Sequence, residues 1–228
     1  MVEFSTENPF GDSFFLLNIY HKTMRKEGTA LKYRYKEPPI PCGVSNRHVH
    51  LSREDLEILF GKDYMLAPIK ELGQPGQFAA REVVTIVGPK GAIEKVRILG
   101  PVRKETQVEI SRTDAYKLGI HPPVKESGNL EDTPGIVIVG PNGVVVKERG
   151  VIIAKRHVHM TPDDAEKFGV RDGQTVRVLV KDGERKLIFD DVLVRVREDY
   201  SLEFHIDTDE ANAAMLNTGD LVWILEDD

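Results

Sequence analysis

Two short segments of the chain carry paired histidines in matching frames: Asn46-Arg47-His48-Val49-His50-Leu51-Ser52 and Lys155-Arg156-His157-Val158-His159-Met160-Thr161. Along an extended strand, residues i and i+2 share a face. Each His-Val-His therefore presents two imidazoles together and turns its valine to the opposite side. Two nitrogen donors side by side suit a single cation. The repeat continues downstream, where Thr106-Gln107-Val108-Glu109-Ile110 matches Leu202-Glu203-Phe204-His205-Ile206. Each copy thus offers a third donor at an equivalent place: His48, His50 and Glu109 in the first, His157, His159 and His205 in the second. Three protein donors leave coordination open for substrate, as a catalytic metal requires. Imidazole with at most one carboxylate suits zinc best, with cobalt, nickel or iron as alternatives. The Glu-containing set is the harder of the two; the three-His set is softer and better suited to sulfur.

Other reactive residues sort by elimination. Arg103 precedes Glu109 by six residues, which puts both on one face if the strand is continuous, and a guanidinium can grip phosphate bidentately. Arg47 and Arg156 point away from the imidazoles on a regular strand and are expected to brace the fold or a carboxylate. No Gly-x-Ser-x-Gly elbow occurs, and Cys42 reads as a small buried hydrophobe. Gly88-Pro89-Lys90-Gly91 lacks the remainder of a phosphate-loop frame and reads as a hairpin turn.

The elements that must hold these residues are mainly short strands. Val83–Val87, Lys95–Leu99, Gly135–Val139, Thr175–Val180 and Val192–Val196 are β-branched runs mostly bounded by turn residues. Gly140-Pro141-Asn142-Gly143 and Asp182-Gly183 add turn signals. Helices are expected after the N-caps Ser52 and Thr161 and from Asp207 through Leu216. The expected fold is mainly β, β-barrels or a sandwich with short capping helices, and it is internally duplicated. The first copy is longer than the second, with its extra residues around Lys62–Gly73. The stretch from Lys125 to Pro134 reads as a linker. Phe14, Leu17, Tyr20 or His21, and Met24 recur at helical spacing in an N-terminal segment, residues 1–36, that differs from the rest.

Bulk properties narrow the function classes. The 228 residues carry a net charge of −6 and a single cysteine. Without a dense basic run, nucleic acid and anionic membrane are not expected partners. One cysteine allows no internal disulfide and fits a reducing cytoplasm. No segment approaches the roughly 20 apolar residues that span a bilayer.

Several longer motifs then become recognisable. Gly43–Ser52, Gln74-Pro75-Gly76-Gln77-Phe78, Val96–Glu109, Ala154–Met160 and His205–Ala213 closely resemble the PduL-type phosphotransacylases (phosphate propanoyltransferases), from about Ile40 to the end. The resemblance implies reversible acyl transfer, acyl-CoA plus phosphate giving acyl phosphate plus CoA, with propionyl-CoA or acetyl-CoA as substrate. It also implies two β-barrels around two Zn2+ ions, one barrel from residues 37–46 plus 150–228 and the other from 47–149. Carried over by motif, His48, His50 and Glu109 hold one zinc, and His157, His159 and His205 the other. Arg103 handles phosphate, while Ser45, Lys70, Arg97, Leu99 and Asn212 line the CoA pocket. Microcompartment-associated members carry an N-terminal amphipathic helix as an encapsulation peptide. Residues 1–36 are therefore read as either a terminal helix or such a peptide. The expected location is the cytoplasm, free or inside a bacterial microcompartment with shell or core proteins as partners; oligomerisation is left open.

With no candidate covalent nucleophile, phosphate is expected to attack the thioester directly in a ternary complex. Two rival readings use the same donors: a binuclear hydrolase of thioesters or phosphoesters, which activates water, and a metal-stabilised scaffold without activity. Three donors per copy argue against the scaffold, whose sites would close with four.

Overall fold

The structure is a computed structural model that describes residues 33–226; the N-terminal helix expected around Phe14–Met24 lies outside the described residues. From Tyr35 on, the described residues form one compact unit. Its first half holds strands β1 (Ile40–Ser45) and β2 (His48–His50), helix α1 (Arg53–Phe60), strands β3 (Pro68–Glu71), β4 (Phe78–Val87), β5 (Ala92–Gly100) and β6 (Gln107–Glu109), and helix α2 (Arg112–Leu118). Strands β7 (Val124–Lys125), β8 (Ile136–Val139) and β9 (Val144–Lys147) follow. The second half holds β10 (Val151–Ala154), β11 (His157–Met160), α3 (Pro162–Phe168), β12 (Thr175–Val180), β13 (Leu187–Val196), β14 (Glu203–Asp207), α4 (Thr208–Ala214) and β15 (Leu221–Ile224).

Duplication is visible in the pairing. In the first copy, β2 runs parallel to β5 and antiparallel to β6. In the second, β11 runs parallel to β13 and antiparallel to β14. The strand preceding each His pair crosses to the other copy. β1 pairs with β14 and β15, while β10 pairs with β6 and β7. Sequence reading placed residues 150–154 with the C-terminal barrel; the ladder puts β10 in the other sheet, so the exchange is reciprocal. Each half is completed by a strand from its twin.

The two sheets end differently. Strands β1, β14, β11, β13, β12 and β15 close into a six-stranded barrel, whereas the nine strands of the other sheet stay open as a half-barrel. Within both copies the strand beside the His pair carries a bulge with a non-glycine residue at positive φ, Lys95 at 56° and Asp191 at 54°. The ladder register slips next to each. Such bulges bend a strand sharply and raise its twist, which helps curl a short sheet around a core.

Among the described residues, four short helices cap the strands. Ser52 accepts the Asp55 amide, Thr161 forms a capping box with Asp164, and Asp207 forms one with Glu210. Helix α2, capped by Ser111, was not expected; at seven residues it carries too little periodicity to stand out. No helix among the described residues is long and apolar enough to cross a membrane.

Each half has its own apolar core, and the valines of the two His-Val-His units are at the heart of them. Val49 packs with Leu51, Leu56 and Ile98, and Val158 packs with Cys42, Met160 and Phe204. Both valines are fully buried, which fixes the strand orientation and leaves the flanking histidines on the opposite face.

Cys42 is completely enclosed in the barrel core. Burial, with Asp220 and Glu203 nearby, pushes its thiol up to about 12. Iodoacetamide at pH 8 should therefore leave the folded chain unmodified and label Cys42 only in denaturant; rapid labelling of the native protein, read by mass spectrometry, would contradict this placement.

Candidate metal centre

Strand pairing brings the third donor of each set into register. His48 lies directly opposite Glu109 across the β2–β6 ladder, and His157 lies opposite His205 across β11–β14. Directly paired residues share a face, so each set converges without help from loops. The ligand atoms of His48, His50 and Glu109 lie within 4.8 Å of one another, as do those of His157, His159 and His205. Both sets, with Arg103, line one cleft of about 780 Å³.

The ring orientations match as well. His48 Nδ1 meets the Asn46 carbonyl at 2.8 Å, and His157 Nδ1 meets that of Lys155 at the same distance. In each case the outward Nδ1 is occupied by backbone and Nε2 is left for the cleft. Such backbone contacts orient metal-binding imidazoles. Among the described residues, His50 Nδ1 and both ring nitrogens of His159 are buried with no hydrogen-bond partner. An unpaired buried nitrogen is costly unless a ligand satisfies it. The donor types, their spacing and these orphaned nitrogens all fit a metal ion in each set.

Electrostatics distinguish the two sets. In the first, burial opposes charge on both His48 and Glu109, but their contact at 3.4 Å outweighs it. Glu109 is held well below the carboxylate range and His48 above the histidine range. His50 is driven well below that range by burial and then by His48. In the second set, burial and neighbouring histidines lower His157 to about 3 and His159 to about 2. Both rings are thus neutral, with lone pairs available, across the physiological range.

Arg103 reaches the first set by a different route from the continuous strand expected. Residues between it and β6 are not extended; instead Arg103 is held by its backbone N–H donating to Leu51 O at 2.9 Å. Its Nη1 donates to Ser127 Oγ at 2.9 Å, and Ser127 Oγ donates to Glu109 Oε1, also at 2.9 Å. Gln107 Nε2 donates to both Glu109 Oε1 and Ser127 Oγ. Ser127 therefore couples the arginine to the donor carboxylate. It comes from the stretch read as a linker, and nothing periodic in that stretch marks it. Burial lowers Arg103 somewhat, but it keeps its charge at any pH relevant here.

The remaining expected residues divide. Ser45, Lys70, Arg97 and Leu99 line the cleft. Lys70 sits on β3 in the extra residues of the first copy, which Glu82 anchors by accepting from Tyr64 Oη and the Ala67 amide. Asn212 does not line the cleft. It lies on the exposed side of α4, whose Ala211 and Ala214 face the barrel. Arg47 pairs with Asp114 at 2.7 Å and Arg156 with Glu210 at 2.6 Å, so both brace carboxylates outside the donor sets. Cleft residues that sequence reading passed over include Gln74, Tyr200 and Glu203. Tyr200 stacks on His159 with ring centroids 4.0 Å apart.

A family profile described as phosphate propanoyltransferase matches residues 41–217. This chain belongs to the phosphate propanoyltransferase family, a family of acyltransferases. It is 75% identical over 191 residues to the phosphate propanoyltransferase of Thermotoga maritima, covering 84% of this chain and 91% of that one. Its identity to the Priestia megaterium protein of that name is 57%, covering 79% of this chain and 83% of the relative. For that of Clostridioides difficile the identity is 51%, covering 92% and 98%.

The low values of His157 and His159 have a consequence for the metal-stripped chain. Unfolded histidine takes a proton near the ordinary 6.5, and these two only near 3 and 2. Between those limits the unfolded state binds more protons, so stability falls as pH drops, by up to about 1.4 kcal/mol per pH unit for each ring. His48, held up by Glu109, offsets this only near 6.5, and His50, driven down by burial, adds to it. Urea midpoints should decline from pH 6.5 toward 4, less steeply in His159→Gln; a flat profile would contradict the burial assigned to these rings.

Proposed function

We propose that the chain interconverts acyl-CoA plus phosphate with acyl phosphate plus CoA, taking propionyl-CoA or acetyl-CoA. The first metal is held by His48, His50 and Glu109, and the second by His157, His159 and His205; zinc suits both sets. The family supports the reaction class. The observation that carries the site assignment is the hydrogen-bonded chain Arg103–Ser127–Glu109, which holds a guanidinium beside one donor set in a cleft lined by both.

When bound, a zinc ion in each set supplies a Lewis acid for carbonyl or phosphoryl oxygen and a soft partner for sulfur. The rest falls to the chain. Arg103 spends one N–H on Ser127 and keeps others free to grip phosphate in two places. Fixing the phosphate beside the thioester replaces a chance encounter with a held geometry, which is a large share of what an acyl-transfer site must do. A phosphate oxygen then bonds to the carbonyl carbon as the C–S bond breaks. The proton of hydrogen phosphate balances the departing thiolate. Cys42 is sealed in the barrel core and takes no part, so no acyl-enzyme forms. Ser45, Lys70, Arg97 and Leu99 receive the CoA portion, Lys70 by its charge at the exposed rim. Encapsulation through residues 1–36 belongs to the same family-based reading.

The test is to supply propionyl-CoA with and without phosphate and follow free thiol. Release that depends on phosphate supports transfer; release without phosphate would make the chain a hydrolase, and no release would leave a scaffold. Arg103→Lys keeps the charge but loses the planar fork. With a charged hydrogen bond contributing about 1.5–3 kcal/mol, kcat/KM should fall roughly tenfold to a hundredfold with the fold intact.

A further inference from the structure

Strand pairing places four residues, not three, on the cleft face of each copy. In the first the block is His48, His50, Gln107 and Glu109, with His48 opposite Glu109 and His50 opposite Gln107. In the second it is His157, His159, Glu203 and His205, with His157 opposite His205 and His159 opposite Glu203. Each block has one carboxylate, but at different corners. The amide Gln107 cannot serve as a charged donor and bonds to Glu109 instead. Glu203 is a carboxylate beside three imidazoles.

The surroundings of Glu203 are built around its carboxylate. Its Oε2 lies 2.8 Å from His205 Nε2, and Gln74 Nε2 donates to the same oxygen at 3.2 Å. Gln74 is buried and directly follows the first copy's extra residues. Its amide also bonds both Ser201 backbone groups, donating to O and accepting from N. Two glycines leave the room: a Cβ on Gly73 would come within 2.5 Å of Glu203 Oε2, and one on Gly43 within 2.9 Å of its Cδ. Three segments therefore converge to hold one carboxylate against His205, at the edge of the donor set. Donors about 2.0–2.1 Å from a shared tetrahedral zinc lie roughly 3.3 Å apart, so Glu203 Oε2, 2.8 Å from His205 Nε2, needs only a small shift for both to reach one ion.

We infer that Glu203 is a fourth donor of the second set, aimed from the other half of the molecule by Gln74. This rests on the reading that the second set holds a metal. The two sites then differ in kind. The first keeps three protein donors and an open side toward Arg103, whereas the second is closed by a carboxylate until a substrate donor takes its place.

The experiment strips the full-length chain with a chelator and titrates it with Co2+, reading affinity and the visible ligand-field spectrum. The wild type should take two equivalents. Glu203→Gln keeps size and a hydrogen-bond acceptor for His205, yet should weaken one equivalent at least about tenfold and change the bands that equivalent contributes. Gln74→Ala, outside the donor set, should shift the same bands in smaller measure and carries the test if the first variant does not fold, as judged by circular dichroism. Unchanged bands in the folded variants, whatever the affinity, would overturn the inference and leave Glu203 as a positioning group for His205. A wild type that takes fewer than two equivalents would instead sink the metal reading itself, and the inference with it.

Discussion

Everything at the centre of this molecule depends on two strand registers, His48 against Glu109 and His157 against His205. A slip of one residue in either ladder would turn the donors into the core and the valines into the cleft. The apolar interior prevents it: Val49 and Val158 are fully buried in their respective cores, and moving them to water while sinking imidazoles into an apolar interior would cost several kcal/mol. The hydrophobic effect thus sets the geometry of a polar site that it does not touch.

The reciprocal exchange of β1 and β10 explains why two copies make one site. Each half borrows the strand that precedes the other's His pair, so neither sheet is complete alone. Side-chain links reinforce the join, with Gln74 of the first half gripping Ser201 and Glu203 of the second. On this duplicated frame the copies have diverged. One donor set carries a carboxylate, an arginine and the serine that joins them; the other carries three imidazoles, two of them held neutral by burial, and a stacked tyrosine.

What was legible in the sequence follows from periodicity. The alternation in His-Val-His fixes the face of every donor, and the repeat supplies the third ones, so six of the central residues could be named without coordinates. The same period, applied to Gln107-Val108-Glu109 and Glu203-Phe204-His205, also marks Gln107 and Glu203, which sit two residues before the donors. Ser127 and Gln74 are different. They act from loops, where no period relates position to direction, and only the fold shows that the presumed linker enters the cleft. The arginine at 103 was associated with Glu109 by strand spacing, while the actual tie is Ser127. The closure of one sheet and not the other was equally hidden, since it depends on how end strands meet rather than on any strand's own pattern.

The central claim is that two separate donor sets, one in each copy, face a shared cleft and each hold an ion. Anomalous X-ray scattering at the zinc edge, from crystals of the zinc-loaded chain, tests it most directly. The account predicts two peaks, one among His48, His50 and Glu109 and one among His157, His159 and His205. A single peak, or peaks away from these residues, would contradict it.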